Sequence, residues 1–290
     1  MLNCWNYITD NELFRMNLIS VIVTTYNWPS ALKVCLESLF AQQDNNFEII
    51  IADDGSSPAI VNLIQAYCAN SPVSISYVHH DDQGFRAGTI RNKAVAQSKG
   101  EYLLFIDGDC IVRPDFIAKH RQLATTGCFV PGNRVLLSQT FTTKVIDQQL
   151  PLNAKPFYYF ILLWLQKKIN RVSGFIYLPL GFLRHIQARK WQKAMTCNLG
   201  MWKNDFIRVN GFDELFEGWG FEDSDLVIRL IHAGIMRKEG RFAVPVLHLW
   251  HAHNDKSNQD RNYQRLLERL HQKDFILAKK GVSQYLETTL

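Results

Sequence analysis

Residues 216–225, FEGWGFEDSD, combine carboxylates with aromatic rings on a backbone that contains two glycines. The stretch has four acids: Glu217, Glu222, Asp223 and Asp225. A carboxylate beside the indole of Trp219, partly removed from water, has a raised pKa and suits a general base. The indole face can also stack on the C–H face of a sugar ring. Acids in the first turn of a helix are an ordinary alternative, because they complement the helix dipole, but this leaves the Gly-Trp-Gly sequence unexplained.

A second acidic pair, Asp107 and Asp109, occurs in FIDGDC directly after an apolar run. Two carboxylates one residue apart at the end of a strand can lie on one side of a turn. There they suit a divalent metal that also binds phosphate oxygens. A polar turn that closes a strand would give the same sequence, so the pair alone leaves both interpretations open.

Three histidines, His248, His251 and His253, cluster in HLWHAHN. The spacing of the first two lets both approach one ion from a turn. Imidazole beside carboxylate suits Mn²⁺ better than Mg²⁺. A single histidine is usually an ordinary core or surface residue, and three within six residues leave that alternative and metal binding equally open.

The elements that would position these groups alternate between strand and helix from the first apolar run onward. Continuous apolar runs predict four buried parallel strands, in LISVIVTTYN, FEIIIADDGS, VSISYVHH and EYLLFIDGDC. Helical patterns separate them, the first beginning at Pro29 and the third ending at Gly100. This order predicts an α/β fold with a mostly parallel, doubly wound, Rossmann-like sheet. Ligands bind at the carboxyl ends of strands in such sheets, where Tyr26–Asn27, Asp53–Asp54 and Asp107–Asp109 all fall.

The second half of the chain is less regular. Its patterns predict a helix near Ser224–His232, a strand in FAVPVLHLW, and a charged amphipathic helix from about Asn258 to Lys280.

The composition is that of a globular protein, with 47% hydrophobic and 20% charged residues in a chain of 290. A net charge of +5 without a dense Lys/Arg block argues against nucleic-acid binding. The six cysteines form no C-x-x-C pair, which favours a reduced compartment and no disulfide scaffold or zinc knuckle. There is no signal-peptide pattern, and the longest apolar run, residues 157–165, is shorter than the roughly 20 residues that span a bilayer. We expect a cytoplasmic protein that crosses no membrane.

Residues 144–193 are unusually basic, with nine Lys/Arg and one acid, Asp147. The apolar runs FYYFILLWL and FIYLPLGFL are interleaved with these cations. Buried helices with snorkelling lysines would give this pattern, as would an amphipathic surface that binds anionic lipid. We favour the second interpretation and expect peripheral binding to the inner face of the cytoplasmic membrane.

Taken in order, several of these motifs resemble a known family. ISVIVTTYN, FEIIIADDGS, GFRAGTIRN and YLLFIDGDC are similar to the nucleotide-sugar half of a GT-A glycosyltransferase of the family 2 type. VNGFDELFEGWGFEDSDLVIRL resembles the acceptor half shared by β-1,4-galactosyltransferases and bacterial chondroitin-type polymerases. The resemblance implies a nucleotide-sugar half at 18–134 and an acceptor-binding and catalytic part at 196–290. A basic apolar insertion at 135–195 would separate them, and residues 1–17 would be an N-terminal extension.

The resemblance also implies roles for residues on the donor side. Thr24, Tyr26 and Asp54 match residues that hold the uracil and ribose, and Arg91 matches a basic residue near the diphosphate or uridine. Asp107 and Asp109 match the D-x-D motif, in which Asp109 is the direct metal ligand.

His251 matches a metal-binding histidine, and His248 stands where the galactosyltransferases carry a methionine ligand. On the acceptor side, Asp223 matches the catalytic base, with Glu222, Trp219 and Gly220 lining the acceptor site. Two positions depart from the pattern, since Phe221 replaces a glycine and Ser224 replaces an aspartate. Both lie at the acceptor pocket, so the identity of the acceptor does not carry over.

The implied function is an inverting, metal-dependent transfer of a hexose from a nucleotide-sugar, expected to be UDP-linked, to a glycan hydroxyl. The expected cofactor is Mn²⁺ or Mg²⁺, and the expected acceptor is lipopolysaccharide, capsule or another bacterial envelope glycan. A non-catalytic sugar- or nucleotide-binding protein is the alternative. A nucleotidyltransferase or dehydrogenase is disfavoured, because the chain has no G-x-x-x-x-G-K-[ST] motif and no G-x-G-x-x-G after its first strand.

Overall fold

The computed structural model describes residues 18–68, 71–252 and 255–286. The predicted N-terminal extension and His253 lie outside these residues, so the predictions about them stay untested.

The first half alternates strands and helices as predicted. Its elements are β1 (Ile19–Thr25), α1 (Pro29–Phe40), β2 (Phe47–Asp53), α2 (Pro58–Cys68), β3 (Ile75–His79), α3 (Ala87–Gln97), β4 (Tyr102–Asp107), β5 (Cys110–Val112), α4 (Phe116–Leu123), β6 (Cys128–Pro131) and β7 (Asn133–Leu136). β1 pairs in parallel with both β2 and β4, and β2 pairs in parallel with β3. Helices cover both faces of this sheet, which is why its strands are apolar on both sides.

The second half completes the sheet with strands of both directions. Its elements are α5 (Gln139–Asp147), α6 (Phe157–Leu165), β8 (Asn198–Trp202), α7 (Lys203–Arg208), α8 (Glu222–His232), β9 (Met236–Arg237), β10 (Pro245–His248), α9 (Gln259–His271) and α10 (Ser283–Leu286). The large sheet has the order β3-β2-β1-β4-β8-β6-β9, and β8 runs antiparallel to β4 and β6. A small sheet has the order β5-β10-β7. The predicted mostly parallel α/β fold is confirmed.

Three predicted boundaries are wrong. Helix α3 ends at Gln97, because Ser98 already has extended backbone. Gly100 does not end the helix. It allows the backbone to pack closely against Ser20, because a Cβ at position 100 would lie 2.5 Å from Oγ of Ser20. Strand β10 covers only the middle of its predicted run.

The last long helix, α9, ends at His271 and not near Lys280. Beyond it Phe275 packs against the guanidinium of Arg269, 3.6 Å from the ring centroid. The chain then turns back, and the N–H of Ala278 donates to the carbonyl of Val209. This tertiary contact overrides the helical pattern of the sequence.

The basic apolar segment is partly buried. Side chains from α5 and α6, including Phe141, Phe160 and Leu163, pack with Val34 of α1 and Leu247 of β10 in a separate apolar cluster. Across the described ranges, no helix combines the length and apolarity that crossing a membrane requires.

Candidate active site

Arg91 of α3 lies at the centre of the candidate site. Its guanidinium is buried beside the carboxyl ends of β1 and β4. Nε donates to Oγ1 of Thr24 at 2.9 Å, and Nη2 donates to Oδ1 of Asp107 at 3.1 Å. Nη1 has no hydrogen-bond partner within the described residues and lies 3.6 Å from Oε1 of Glu222 and 3.7 Å from Oδ1 of Asp223. One cation therefore joins an acid of the D-x-D motif to both predicted acceptor-side acids.

Asp223 is held in place by a residue that no sequence pattern singled out. Thr196 precedes β8 and is itself buried. Its hydroxyl donates to Oδ1 of Asp223 at 2.7 Å, and its backbone N–H donates to Oδ2 at 3.1 Å. Burial raises the pKa of Asp223, while Arg91 and the two bonds from Thr196 oppose the rise. The carboxylate thus has a defined orientation beside a positive charge.

Glu222 lies next to Asp223 but in a different environment. Its side chain is buried at the first residue of α8. Burial, with a further contribution from the charge of Asp223, raises the pKa of Glu222 to about 7, against the opposing effect of Arg91. Two adjacent carboxylates thus both have raised pKa values beside one cation, an arrangement typical of acid–base chemistry.

Asp109, His248 and His251 converge where β4, β5 and β10 meet. Nε2 of His248 lies 3.5 Å from Oδ1 of Asp109, and Nε2 of His251 lies 3.5 Å from Oδ2. Each imidazole has its Nδ1 2.7 Å from a backbone carbonyl, of Leu249 and Ala252 respectively. A carbonyl only accepts, so Nδ1 of each ring carries a proton, and Nε2 is the nitrogen that could bind a metal.

This donor set of two imidazole nitrogens and one carboxylate fits a divalent transition metal that retains open positions. Cys110 is also close. Its Sγ, a carboxylate oxygen of Asp109 and a ring nitrogen of His248 all lie within 4.8 Å of one another, close enough to share one metal ion. Burial raises the pKa of the Cys110 thiol well above its usual range, with further rises from Asp109 and Cys197. His251 lies as close to the carboxylate of Asp109 as His248 does, at 3.5 Å, so each imidazole could complete a site with it.

The predicted nucleoside-binding residues lie at the ends of β1 and β2. Thr24 is engaged by Arg91, as described above. Tyr26 is half exposed and donates its hydroxyl to Oδ2 of Asp82 at 2.9 Å. Asp54 is buried and accepts from the N–H of Arg86 at 2.8 Å, and its other oxygen lies 2.7 Å from Nε2 of His80. Tyr26 is open to a ligand, whereas Asp54 already has two protein partners.

The loop before α8 takes a left-handed backbone at Gly218, Gly220 and Phe221, with φ of 72°, 114° and 70°. Two of these positions are the glycines of the Gly-Trp-Gly sequence, which explains their residue type. Phe221 also adopts this conformation, at a position where the galactosyltransferases that this stretch resembles carry glycine. The centroid of its ring lies 5.3 Å from that of Tyr263. Trp219 is half buried, and the ammonium of Lys256 lies 5.4 Å from its ring centroid.

The remaining two acids of this stretch lie outside the site. Asp225 is fully buried and binds Arg229 at 2.7 Å and Arg269 at 3.3 Å. Arg229 also donates to the carbonyls of Val209 and Gly211, so this network fixes α8 to the turn that follows α7. Glu217 is exposed and pairs with Arg261. Glu222, Asp223 and Asp225 all lie in the first turn of α8, as the helix explanation predicts, but Glu222 and Asp223 also face Arg91.

Comparison with known proteins agrees with this geometry. The model of glycosyl transferase family 2 matches residues 20–178, more than half of the chain. The chain belongs to this family. A second model, described as the N-terminal domain of galactosyltransferase, matches residues 184–248, which include the loop before α8 and the whole of that helix.

Three curated relatives of this family 2 glycosyltransferase come from bacteria. Validoxylamine A glucosyltransferase of Streptomyces hygroscopicus subsp. jinggangensis is 28% identical over 237 residues, covering 75% of this chain and 52% of the relative. Chondroitin synthase of Escherichia coli is 24% identical over 235 residues, covering 74% of this chain and 32% of the relative. The putative glycosyltransferase EpsH of Bacillus subtilis is 36% identical over 109 residues, 30% of its length. The chain spans about half or less of these three relatives.

Solved structures of GT-A glycosyltransferases share the fold. Residues 1–349 of S. aureus TarS in complex with UDP match with a TM-score of 0.60 at 14% identity, over 92% of this chain and 68% of the other. GalNAc-T7 with UDP, GalNAc and Mn²⁺ matches with a TM-score of 0.62 at 15% identity, over 88% of this chain and 48% of the other. The GT-A fold predicted from the sequence is confirmed.

Proposed function

We propose that this glycosyltransferase moves a hexose from a UDP-sugar to a hydroxyl of a glycan acceptor, with inversion at C1 and with Asp223 as the base. The observation that carries the proposal is the arrangement around Arg91, which brings Asp107 at the end of β4 within reach of Glu222 and Asp223 at the start of α8. A donor bound at the strand ends and an acceptor bound at the α8 loop would meet there.

Each residue has a step in this mechanism. Asp223, oriented by Thr196, takes the proton of the acceptor hydroxyl as its oxygen attacks C1. UDP leaves from the opposite face, so one displacement inverts the anomeric configuration. The guanidinium of Arg91 stabilises negative charge that develops on the departing diphosphate. Trp219 offers an aromatic face to the acceptor sugar, and Glu222 is placed to bind an acceptor hydroxyl.

Asp109, His248 and His251 would hold Mn²⁺, or Mg²⁺ less well, because two of the ligands are nitrogens. When bound, the ion supplies Lewis-acid stabilisation of the diphosphate. Solved relatives of the same fold contain Mn²⁺, including a mannosyltransferase from Pyrobaculum calidifontis with GDP-Man. The choice of uridine is supported by neighbours that contain UDP or UDP-GlcNAc and by Tyr26, which stands open at the end of β1.

For the acceptor we propose a bacterial envelope glycan such as lipopolysaccharide or capsule. The support is that the three relatives described above are bacterial and include a chondroitin synthase. A cytoplasmic enzyme that works at the inner face of the membrane would meet such a glycan on its lipid carrier.

The deciding experiment is a screen of UDP-sugars for UDP release with Mn²⁺, with and without a mixture of glycan acceptors. We expect one donor to give UDP release that EDTA abolishes and Mn²⁺ restores. Asp109→Ala should lose metal-dependent UDP binding by calorimetry, whereas Asp255→Ala, an exposed acid outside the site, should retain it. Donor binding without any UDP release would favour the non-catalytic sugar- or nucleotide-binding alternative. Full activity in EDTA would overturn the metal site.

A further inference from the structure

One surface of the protein, which we call the docking face, concentrates its exposed apolar side chains. Of the sixteen large apolar side chains most exposed in the described residues, eleven fall within the thirty residues 157–186. They are Phe157, Tyr158, Leu162, Trp164, Leu165, Ile176, Tyr177, Leu178, Phe182, Leu183 and Ile186. Phe182 and Ile186 are 76% and 73% exposed. Such a concentration marks an interaction site.

The two apolar runs of the docking face lie together. The rings of Phe160 and Phe175 stack with centroids 3.8 Å apart, which joins α6 to the following turn. Phe157 lines the same cleft as Ile176 and Tyr177. The chain between residues 178 and 186 is held in place by Arg184, a buried guanidinium that donates to the carbonyls at 178, 239 and 241. The face is therefore part of the folded body.

The segment that forms the docking face contributes positive charge only, and the one acid that lines its cleft, Asp115, is paired with Lys119. From residue 148 to residue 195 the chain has eight Lys/Arg and no acid. Lys167, Arg171, Arg189 and Lys193 are exposed, and none of them pairs with a carboxylate in the described part of the chain. Their charge is left for a partner.

We propose that the docking face binds an anionic lipid bilayer. A soluble polyanion would use the cations but leave the apolar side chains in water, whereas a bilayer surface takes both. Tyr158, Trp164 and Tyr177 are residue types that favour the membrane–water boundary. A second copy of the chain is a poor occupant, because a symmetric dimer would place the same predominantly basic surface against itself.

This proposal rests on the proposed function in one respect: lipid binding would bring the candidate active site to an acceptor on a lipid carrier. Binding to lipid itself needs neither donor nor metal. The test is co-sedimentation of the full chain with vesicles of phosphatidylcholine alone or mixed with phosphatidylglycerol, at low and high salt. We expect binding to the mixed vesicles that weakens with salt, and little binding to phosphatidylcholine alone.

Two double variants separate the contributions of charge and apolar contact. Arg189→Glu with Lys193→Glu, and Phe182→Ser with Ile186→Ser, should each weaken partitioning about tenfold or more. Leu277→Ser is the matched control, because Leu277 is 60% exposed outside the docking face. UDP release should be unchanged in all three variants, which keeps failure of docking distinct from failure of catalysis.

Three outcomes would overturn the proposal: no binding to anionic vesicles at low salt, equal binding to both vesicle types, or equal loss in the Leu277→Ser control. Displacement from anionic vesicles by soluble polyphosphate, with no effect of Phe182→Ser and Ile186→Ser, would instead identify a soluble polyanion as the partner.

Discussion

At the scale of single residues, the two acids beside Arg91 are in unequal positions. Asp223 accepts two hydrogen bonds from Thr196, and both favour its ionised form. Glu222 is buried, and its pKa is raised to about 7. Asp223 is thus the better-anchored carboxylate, whereas Glu222 exchanges its proton near neutral pH.

The role of Asp223 is tested by Asp223→Asn. If the residue only completed the first turn of α8, the amide would serve nearly as well and turnover would be spared. If it is the base, kcat should fall roughly 10²-fold or more, while the circular dichroism spectrum and UDP affinity stay as in the wild type. A kcat within a few-fold of the wild type would move the base elsewhere, with Glu222 the next candidate.

Glu222 gives a prediction about stability and pH. Because folding raises the pKa of this carboxyl from its ordinary value to about 7, the native state holds a proton that the unfolded chain releases. The resulting stabilisation is complete at pH 4 and is lost as pH rises towards and through 7. Glu222→Gln should therefore unfold at a higher temperature than the wild type at pH 8, by an amount equivalent to about 1–3 kcal/mol.

Near pH 4 the same variant should show no such advantage. Glu217→Gln, which alters an exposed carboxylate, is the control and should follow the wild type at both pH values. A pH-independent difference between Glu222→Gln and the wild type would contradict the assigned pKa.

The sequence alone was sufficient to predict the site residues that lie at the carboxyl ends of strands. Asp107 and Asp109 end an apolar strand, and parallel strands bring such ends together. Thr196 could not have been found, because a threonine ahead of a strand carries no pattern. Asp225 was one of four equivalent acids, and only the tertiary contact with Arg269, 44 residues away in sequence, removes it from the site.

At the scale of elements, β8 and α8 together hold Asp223, the proposed base. Thr196, just before β8, donates a hydrogen bond to Asp223, the second residue of α8. Asp225 in the same turn forms ion pairs with arginines of α8 and α9. β8 also pairs with β4, which carries Asp107 at its end. The relative position of the donor and acceptor acids is therefore set by neighbouring strands and one helix start.

Thr196→Val should remove one of the two hydrogen bonds to Asp223 and keep a side chain of similar size at position 196. The hydroxyl bond to Asp223 is lost and the backbone bond remains, so the pKa of Asp223 should rise and the acidic limb of the kcat profile should move to higher pH. We expect kcat at pH 7 to fall about tenfold, with KM for the donor unchanged. Thr196→Ser keeps a hydroxyl and should restore both. A fall in kcat with no change in the pH profile would make Thr196 a packing residue only.

At the scale of the whole molecule, the two halves share one sheet. β8, from the second half, lies between β4 and β6, both from the first half. The boundaries proposed from the sequence at 134–135 and 195–196 thus separate segments of chain whose strands interleave. The halves are expected to fold as one unit.

Limited proteolysis with trypsin tests this expectation. The exposed cations Lys167, Arg171, Arg189 and Lys193 should be cut first, because they lie in surface segments outside the large sheet. The large fragments on either side of these sites should still co-elute in size-exclusion chromatography, since separating them would break the β4–β8 and β6–β8 pairings. Fragments that part in native buffer would show instead that the segments fold independently.

The uneven charge of the chain also acts before any contact is made. Residues 144–193 carry a net +8 in a chain whose total is +5, which leaves −3 for the rest. The molecule is therefore a permanent electric dipole, and in the field of a charged surface it experiences a torque as well as a pull. Tumbling within about one Debye length, roughly 8 Å at physiological ionic strength, becomes biased. A larger fraction of encounters with an anionic surface then begins with the basic side leading, so association is faster than random orientation would allow.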